Sequence, residues 1–202
     1  MINQWIGALT NPRETFMNEK LNASIGKGAV NYFIAGLLSA IIGLIISIIS
    51  GNGLTIIAGV INLIISPVVN VIMGLIMVGI IFLFVKLLGG KGSYGSMFYL
   101  ISLVIVPITV ITAILSGLLA ILPILGILVM LCFLILFIYI IYIEVLAISI
   151  SQEMGMGKSL LVLLLPTIIV VIIGVILAMV LGAFFFAALG SATSTTGMVG
   201  LI

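Results

Sequence analysis

The chain has 202 residues, of which 65% are hydrophobic and 5% charged, and its formal net charge is +2. A soluble domain carries about 25% charged residues, so this composition excludes a soluble protein and indicates one that crosses a membrane several times. Histidine and aspartate are both absent, which excludes the common hydrolytic triads and aspartate pairs, and Lys and Arg form no cluster suited to nucleic acid. We therefore expect no enzyme activity, no metal, no cofactor and no nucleic-acid partner.

The long apolar stretches are continuous, whereas strands of a membrane β-barrel alternate apolar and polar residues, so the spans are predicted to be helices. The predicted fold is all-α, an integral membrane bundle of five transmembrane helices with a short N-terminal amphipathic cytoplasmic segment. The predicted parts are a leader at 1–28, a transmembrane domain at 29–189 with spans at 29–50, 67–88, 96–118, 125–149 and 159–189, and a flexible non-cytoplasmic tail at 190–202.

The leader begins with apolar residues at helical spacing, namely Ile2, Trp5, Ile6 and Leu9. A tryptophan in such a pattern favours the headgroup level of a bilayer. A second short helix is expected from about residue 12 to residue 22, because Pro12 suits the first position of a helix. The leader is then either an interfacial anchor, which is the interpretation we prefer, or a surface on which a partner docks.

The stretch 55–88 carries no charged residue over its 34 residues apart from Lys86. As one helix it would be about 51 Å long, against a hydrocarbon core of about 30 Å, yet two spans would need about 40 residues. Pro67 removes a backbone donor and disfavours helical angles at Ser66, so a break is expected there. We predict one span at 67–88, with 55–66 re-entrant, interfacial or part of one long kinked helix.

Small residues recur at every fourth position in the first two apolar stretches, a spacing that lets two helices approach closely inside lipid. The positions are Ala35, Ser39, Gly43, Ser47 and Gly51 in the first stretch and Ala58, Asn62, Ser66, Asn70 and Gly74 in the second. We expect these two faces to pack together, with Asn62 and Asn70 hydrogen-bonded across the seam. The alternative is that the two amides coordinate a substrate or an ion inside the membrane.

The basic residues give the orientation, because Lys and Arg in short loops stay in the cytoplasm. Five spans place all six basic residues on one side, whereas six spans would divide them three and three. We therefore predict five spans, with a cytoplasmic N-terminus and the C-terminus outside.

Glu144 is the one charged residue embedded in a predicted span, about five residues from the following loop. An intramembrane carboxylate is a functional candidate by default. At this depth it can also reach the interface or pair with a cytoplasmic lysine, and structural pairing is the interpretation we prefer.

Several short motifs resemble the Yip family, which is named for eukaryotic Ypt/Rab-interacting proteins. The segment Asn11-Pro12-Arg13-Glu14-Thr15-Phe16 resembles one that opens many prokaryotic members of this family. The other similar features are the glycine-rich turn before Ser93, then Tyr99 and Pro107, and the polar loop Gly155–Ser159 ahead of Pro166. The resemblance covers roughly residues 10–185 and implies five spans with a cytoplasmic N-terminus. The short, Ile-rich chain looks like a bacterial or archaeal member, in a prokaryotic cell membrane.

For eukaryotic members the resemblance implies binding of prenylated Rab-type GTPases. This chain has only a short leader where those proteins carry a longer one, so a small-GTPase partner stands on family analogy alone. The expected partners are the lipid bilayer and a cytoplasmic protein, and a homo-oligomer is possible.

The leading hypothesis is a non-enzymatic membrane scaffold or adaptor whose cytoplasmic face recruits partners. That face comprises the leader and the loops 89–95 and 151–158, with candidate partner-binding residues Arg13, Glu14, Phe16, Lys91, Tyr94 and Lys158. The alternative is a small-molecule or ion transporter or channel that uses the intramembrane polar residues Asn62, Asn70 and Glu144.

Overall fold

A computed structural model describes residues 1–49, 51 and 53–196. Within these residues the regular elements are helices and no strand occurs. In chain order they are α1 (Ile2–Thr10), α2 (Pro12–Lys20), α3 (Ile25–Ile49), α4 (Gly53–Leu87), α5 (Tyr94–Ile121), a short 3-10 turn (Pro123–Leu125), α6 (Gly126–Gln152) and α7 (Met156–Thr196). The chain forms two compact units, residues 1–163 with α1–α6 and the start of α7, and residues 164–202 with the rest of α7.

Four helices in the described part, α3–α6, are long and apolar enough to cross a membrane, and α7 adds a shorter apolar stretch at Met156–Ile169. This arrangement confirms the predicted all-α membrane bundle. The helices extend a few residues past most of the predicted spans. Residues 190–196 of the predicted tail belong to α7, and 197–202 lie outside the described residues.

α5 is the central helix of the first unit and packs against α1, α2, α3, α4 and α6. No residue from Met97 to Val104 exposes more than 4% of its surface. The close approach of α3 requires a glycine, because a Cβ on Gly28 would lie 2.5 Å from the Phe98 ring. That ring stacks on Tyr32 of α3 and on Tyr94 of its own helix, so aromatic contacts join the two helices.

α4 is a single helix of 35 residues that continues through Pro67. The segment 55–66 is therefore the first part of the same long helix that contains the predicted span, and not a separate element. Proline is tolerated inside membrane helices because neighbouring helices and Ser side chains satisfy the freed backbone groups. Here the buried Pro67 faces α3, and the hydroxyl of Ser66 donates to the carbonyl of Gly36 at 3.2 Å.

α3 and α4 pack together as predicted, but the contact does not follow the predicted stripe of α3. The two helices approach closely at Gly36, where a Cβ would lie 2.8 Å from Pro67 Cα, while nothing lies within 4 Å of a Cβ added to Gly43. On α4 the stripe residues Ser66 and Gly74 do contact α3. On α3 the predicted stripe was wrong at Gly43, because a step of four residues turns 400° on a helix of 3.6 residues per turn and so drifts about 40° at each step. At the end nearest the start of α3, Gly74 leaves room for the ring of Tyr32.

α1 and α2 form a helical hairpin, which we call the N-terminal hairpin, that packs on α5 and α6. Ala8 and Phe16 on its inner side are completely buried. The hydroxyl of Tyr139 donates to the carbonyl of Leu9, and Tyr139 lies 13 residues, about 20 Å, before the end of α6. The leader thus lies along the sides of α5 and α6.

Candidate functional site at the charged end of the bundle

The ends of α3–α6 that meet the N-terminal hairpin carry the charges of the bundle, and we call them the charged end. Lys27 lies at the start of α3, Lys86 at the end of α4, Lys91 just before α5 and Glu153 just after α6. Residues 49–57 and 118–126, around the opposite turns, contain no Asp, Glu, Lys or Arg. The charged residues of the bundle therefore lie at one end, because α3 and α5 begin there and α4 and α6 end there.

Glu19 fastens the N-terminal hairpin to α5. Its two carboxylate oxygens accept hydrogen bonds from the Tyr99 hydroxyl at 2.7 Å and from the Gln4 amide, also at 2.7 Å. Gln4 lies on α1, Glu19 on α2 and Tyr99 on α5, so one carboxylate connects three helices. Hydrogen bonds to a charged acceptor are stronger than neutral ones, and this contact is a principal attachment of the hairpin.

A second set of hydrogen bonds runs from the hairpin into the buried core. Trp5 Nε1 donates to Asn31 Oδ1 at 3.1 Å, and Asn31 Nδ2 donates to Ser102 Oγ at 2.9 Å. The Ser102 hydroxyl in turn donates to the backbone carbonyl of Tyr99 at 2.6 Å. Asn31 and Ser102 are almost completely buried, and the chain of bonds satisfies polar groups that would otherwise cost free energy inside the membrane.

The end of α2 is joined to the loop after α6 by the one ion pair among the described residues. Lys20 Nζ donates to Glu153 Oε1 at 2.8 Å. This hydrogen bond and the positive charge of Lys20 hold the pKa of the Glu153 carboxyl below its usual range. Glu153 has a left-handed backbone with φ of 57°, and the N–H of Met154 bonds back to the carbonyl of Ser149, so these residues terminate α6.

The loops before α5 and after α6 are held together by their backbones. The N–H of Lys91 donates to the carbonyl of Gln152 at 3.0 Å, and the Gln152 side chain donates to the carbonyl of Ser93, also at 3.0 Å. Gly92 is required here, because a Cβ would lie 1.8 Å from the carbonyl oxygen of Ser151. The structure thus brings the predicted loops 89–95 and 151–158 and the leader into one connected surface.

Lys86 stabilises the first of these loops. Its Nζ donates to the carbonyls of Gly90 at 3.1 Å and Gly92 at 2.9 Å, and it lies 5.0 Å from the centre of the Phe82 ring. Two carbonyls and an aromatic face together form a favourable environment for an ammonium group. The Lys86 ammonium group therefore uses most of its interactions within the loop.

The six candidate partner-binding residues fall into two groups. Four are exposed at or beside the connected surface, namely Arg13, Glu14, Lys91 and Lys158. Phe16 is completely buried in the hairpin, and the half-buried Tyr94 stacks on Phe98 and donates to the carbonyl of Leu75 at 2.8 Å. Phe16 and Tyr94 are thus placed to hold the fold, whereas the four charged residues are accessible and remain predicted contacts.

The intramembrane polar residues Asn62, Asn70 and Glu144 are not brought together. The Asn62 side chain is exposed on α4, and Asn70 donates to the carbonyl of Ser66 in its own helix, at 3.4 Å. Among the described residues the expected amide bonds across the seam do not form, and the hydroxyl of Ser66 bonds to α3 instead. Glu144 lies eight residues from the end of α6, deeper than expected, and among the described residues it forms no ion pair with a lysine.

Three cavities open around the N-terminal hairpin. One, of about 270 Å³, is lined by Met1, Gln4, Lys27, Asn31 and Tyr99, and we call it the polar cavity. The second is an apolar groove of about 480 Å³ between α1 and the helices α3 and α5. The third, of about 340 Å³, lies between α2 and the end of α6. In the described part of the chain no three Cys or Glu residues are placed to hold a metal ion.

The residues that anchor the hairpin were missed in the sequence. Gln4, Glu19, Asn31 and Ser102 all form tertiary hydrogen bonds, yet none belongs to a recognisable motif. The available signal was the presence of single polar residues near the start of two apolar stretches, Asn31 in the first and Ser102 in the third. Such residues are rarely left without a partner inside a membrane.

A family model described as the Yip1 domain matches residues 6–179, which is most of the 202-residue chain. No curated protein and no solved structure matches the chain. The matched residues begin within α1, include all of α2–α6 and both loops of the charged end, and end within α7. The chain therefore belongs to the Yip1 domain family, as a multi-pass membrane protein.

Proposed function

We propose that this protein is a non-enzymatic membrane scaffold or adaptor that recruits a cytoplasmic protein partner to its charged end. The observation that carries the proposal is the connected surface formed by the N-terminal hairpin and the two loops. Its backbone is fixed by hydrogen bonds between the loops, and Arg13, Glu14 and Lys91 project from it as exposed charged side chains. A preorganised surface of this kind loses little conformational freedom when a partner binds.

The proposal includes an orientation, with the charged end and the N-terminus in the cytoplasm of a prokaryotic cell and the C-terminus outside. The distribution of the six basic residues supports it. Single cysteines at exposed positions, Lys91→Cys at the charged end and Ile124→Cys at the opposite end, test it in a Cys132→Ser background. With an impermeant thiol reagent on whole cells, only position 124 should react, and labelling of position 91 would reverse the orientation.

The recruitment test must spare the fold of the leader. Deleting the leader would remove the buried Phe16 and uncover α5 and α6. The loss of a partner could then result from misfolding and could not be attributed to the exposed surface. A photo-reactive amino acid placed at Arg13 or at Lys91 instead reports contacts at the exposed surface without removing any packing. Ile61, exposed on the apolar side of α4, is the matched control position.

In cells, we expect the same crosslinked protein from positions 13 and 91 and no such product from position 61. Lys91→Glu should reduce the product formed from position 13, and Arg13→Glu the product formed from position 91, while both variants stay in the membrane. Equal crosslinking from all three positions, or none from 13 and 91, would reject the proposed surface.

The transporter alternative is not favoured by any specific observation. Asn62 and Asn70 are on α4 and Glu144 is on α6, which is not among the helices that pack extensively on α4 in the described structure. A shared pathway would require the three polar groups to converge, as they do at the midplane of transporters with broken helices.

A further inference from the structure

The polar cavity beside Lys27 is rich in unused hydrogen-bond donors. Lys27 Nζ gives one hydrogen bond, to the carbonyl of Asn22 at 2.8 Å, so two of its three N–H groups are free. The amides of Gln4 and Asn31, which also line the cavity, each donate one hydrogen bond, to Glu19 and Ser102. The lining therefore includes three side chains that carry N–H groups.

The charge of the cavity is positive at its rim. Lys27 is exposed, and its ammonium lies 5.8 Å from the centre of the Tyr99 ring. Glu19 does not line the cavity, and its two oxygens accept the hydrogen bonds of the lining residues Tyr99 and Gln4. Donors and a cation together suit the oxygens of a phosphate group.

The apolar groove follows on the inner side of this cavity. Its lining includes Ile6 of α1, Leu38 of α3, and Val106 and Val110 of α5, and nearly all of its surface is apolar. Trp5 also lines the groove, and its Nε1 is bonded to Asn31 at the polar cavity, so this side chain lies at the boundary between the two spaces.

The two spaces are arranged along the same helices. Leu38 lies seven residues beyond Asn31 on α3, and Val106 lies seven residues beyond Tyr99 on α5. Both helices run inward from the charged end, so the groove lies two turns, about 10 Å, deeper than the polar cavity. A space lined by a lysine and two amides, above one that is almost entirely apolar, has the order of polarity of an amphiphile in a bilayer.

We propose that the polar cavity and the apolar groove together form a binding site for one anionic glycerophospholipid, with its phosphate at Lys27 and an acyl chain in the groove beside Trp5. The bilayer supplies this ligand at the right depth and orientation. A free phosphate would leave the groove unfilled, and a hydrocarbon alone would leave the donors unused. The site is on the side of α1, away from the exposed Lys91 and Lys158.

Trp5 is the single tryptophan of the chain and provides the assay. Bromine atoms on an acyl chain quench tryptophan fluorescence on contact. We would titrate the full-length protein in detergent micelles with brominated phosphatidylglycerol and, separately, with phosphatidylcholine carrying the same brominated chains. We expect saturable quenching by both, with phosphatidylglycerol binding about fivefold more tightly, the factor that one lysine near an anionic headgroup contributes.

Variants separate the headgroup site from general attraction to lipid. Lys27→Gln should make the two lipids bind equally, whereas Lys158→Gln, a change at an exposed lysine outside the cavity, should leave the fivefold preference unchanged. Unbrominated phosphatidylglycerol should reverse the quenching, and inorganic phosphate should not.

The acyl site is tested by filling the groove. Val110→Phe should abolish saturable quenching, whereas Val69→Phe on the exposed side of α4 should not. Because Val110→Phe can disturb packing, Ile6→Phe on the exposed side of α1 narrows the groove from the outside and should have the same effect. The proposal is overturned if wild type shows no headgroup preference, if Lys27→Gln behaves like Lys158→Gln, or if the folded groove variants quench as Val69→Phe does.

Discussion

Gly36→Ala tests the close contact between α3 and α4. The added Cβ would lie 2.8 Å from Pro67 Cα and 2.8 Å from the carbonyl oxygen of Ser66, both backbone atoms of α4. Ordinary van der Waals contact begins at 3.4 Å, so the helices must separate by about 0.6 Å. Such overpacking costs about 1–3 kcal/mol. The separation also lengthens the 3.2 Å hydrogen bond from Ser66 to Gly36, which contributes about 0.6 kcal/mol.

Gly43→Ala is the matched control two turns further along the same helix. Nothing lies within 4 Å of its added Cβ, so this variant retains only the gain of up to about 1 kcal/mol that alanine brings to a helix. Gly36→Ala has the same gain in helix propensity, so the difference between the two variants in free energy of unfolding gives the steric cost. We expect Gly36→Ala to lower the free energy of unfolding by about 1–2 kcal/mol and Gly43→Ala to leave it unchanged or raise it.

Reversible unfolding in mixed micelles, followed by the fluorescence of Trp5, measures both values. Trp5 is suitable because its hydrogen bond to Asn31 depends on tertiary packing of α1 on α3. If Gly43→Ala proved the more destabilising change, α3 would face α4 through the four-residue stripe after all, and the packing described above would be refuted.

Three further changes probe the charged end. Asn31→Leu leaves the indole N–H of Trp5 without an acceptor and should lower the free energy of unfolding by about 1–3 kcal/mol, measured in the same mixed micelles. Because the pKa of Glu153 is lowered in the folded protein, its ion pair stabilises the fold above the usual carboxyl pKa and that contribution is lost as pH falls through the lowered value. Wild type and Lys20→Gln should therefore differ in thermal stability at neutral pH and converge in acid, and a constant difference would contradict the ion pair. Gly92→Ala should prevent the two loops from meeting and sharply reduce folded yield in gel filtration, whereas Gly157→Ala, with open space around it, should not.

The helical class of the fold could be predicted because it depends on burial of apolar residues in lipid, which composition records directly. The continuity of α4 could not be predicted, because Pro67 is tolerated only where another helix covers it. That helix is α3, and its position depends on tertiary packing. The residues of α3 that contact α4 were missed for a geometric reason, since small residues four apart do not stay on one side of a helix.

The attachment of the leader was beyond the reach of local patterns. Asn31 meets Ser102 across 71 residues of sequence, Glu19 meets Tyr99 across 80, and Lys20 meets Glu153 across 133. Periodicity describes only one helix at a time and does not identify the partner of a polar side chain. The leader therefore looked like a surface segment, although its contacts make it part of the bundle.

The length of α4 has a consequence for the surrounding lipid. Its 35 residues span about 52 Å, and even at a tilt of about 40°, the upper end of the usual range, it would cover about 40 Å along the bilayer normal. The hydrocarbon of an average bilayer is about 10 Å thinner. Leu54 and Ile57, exposed near the start of the helix, would then meet headgroups unless the bilayer thickens around them. Hydrophobic mismatch should draw this protein toward thick regions of a membrane and away from thin ones.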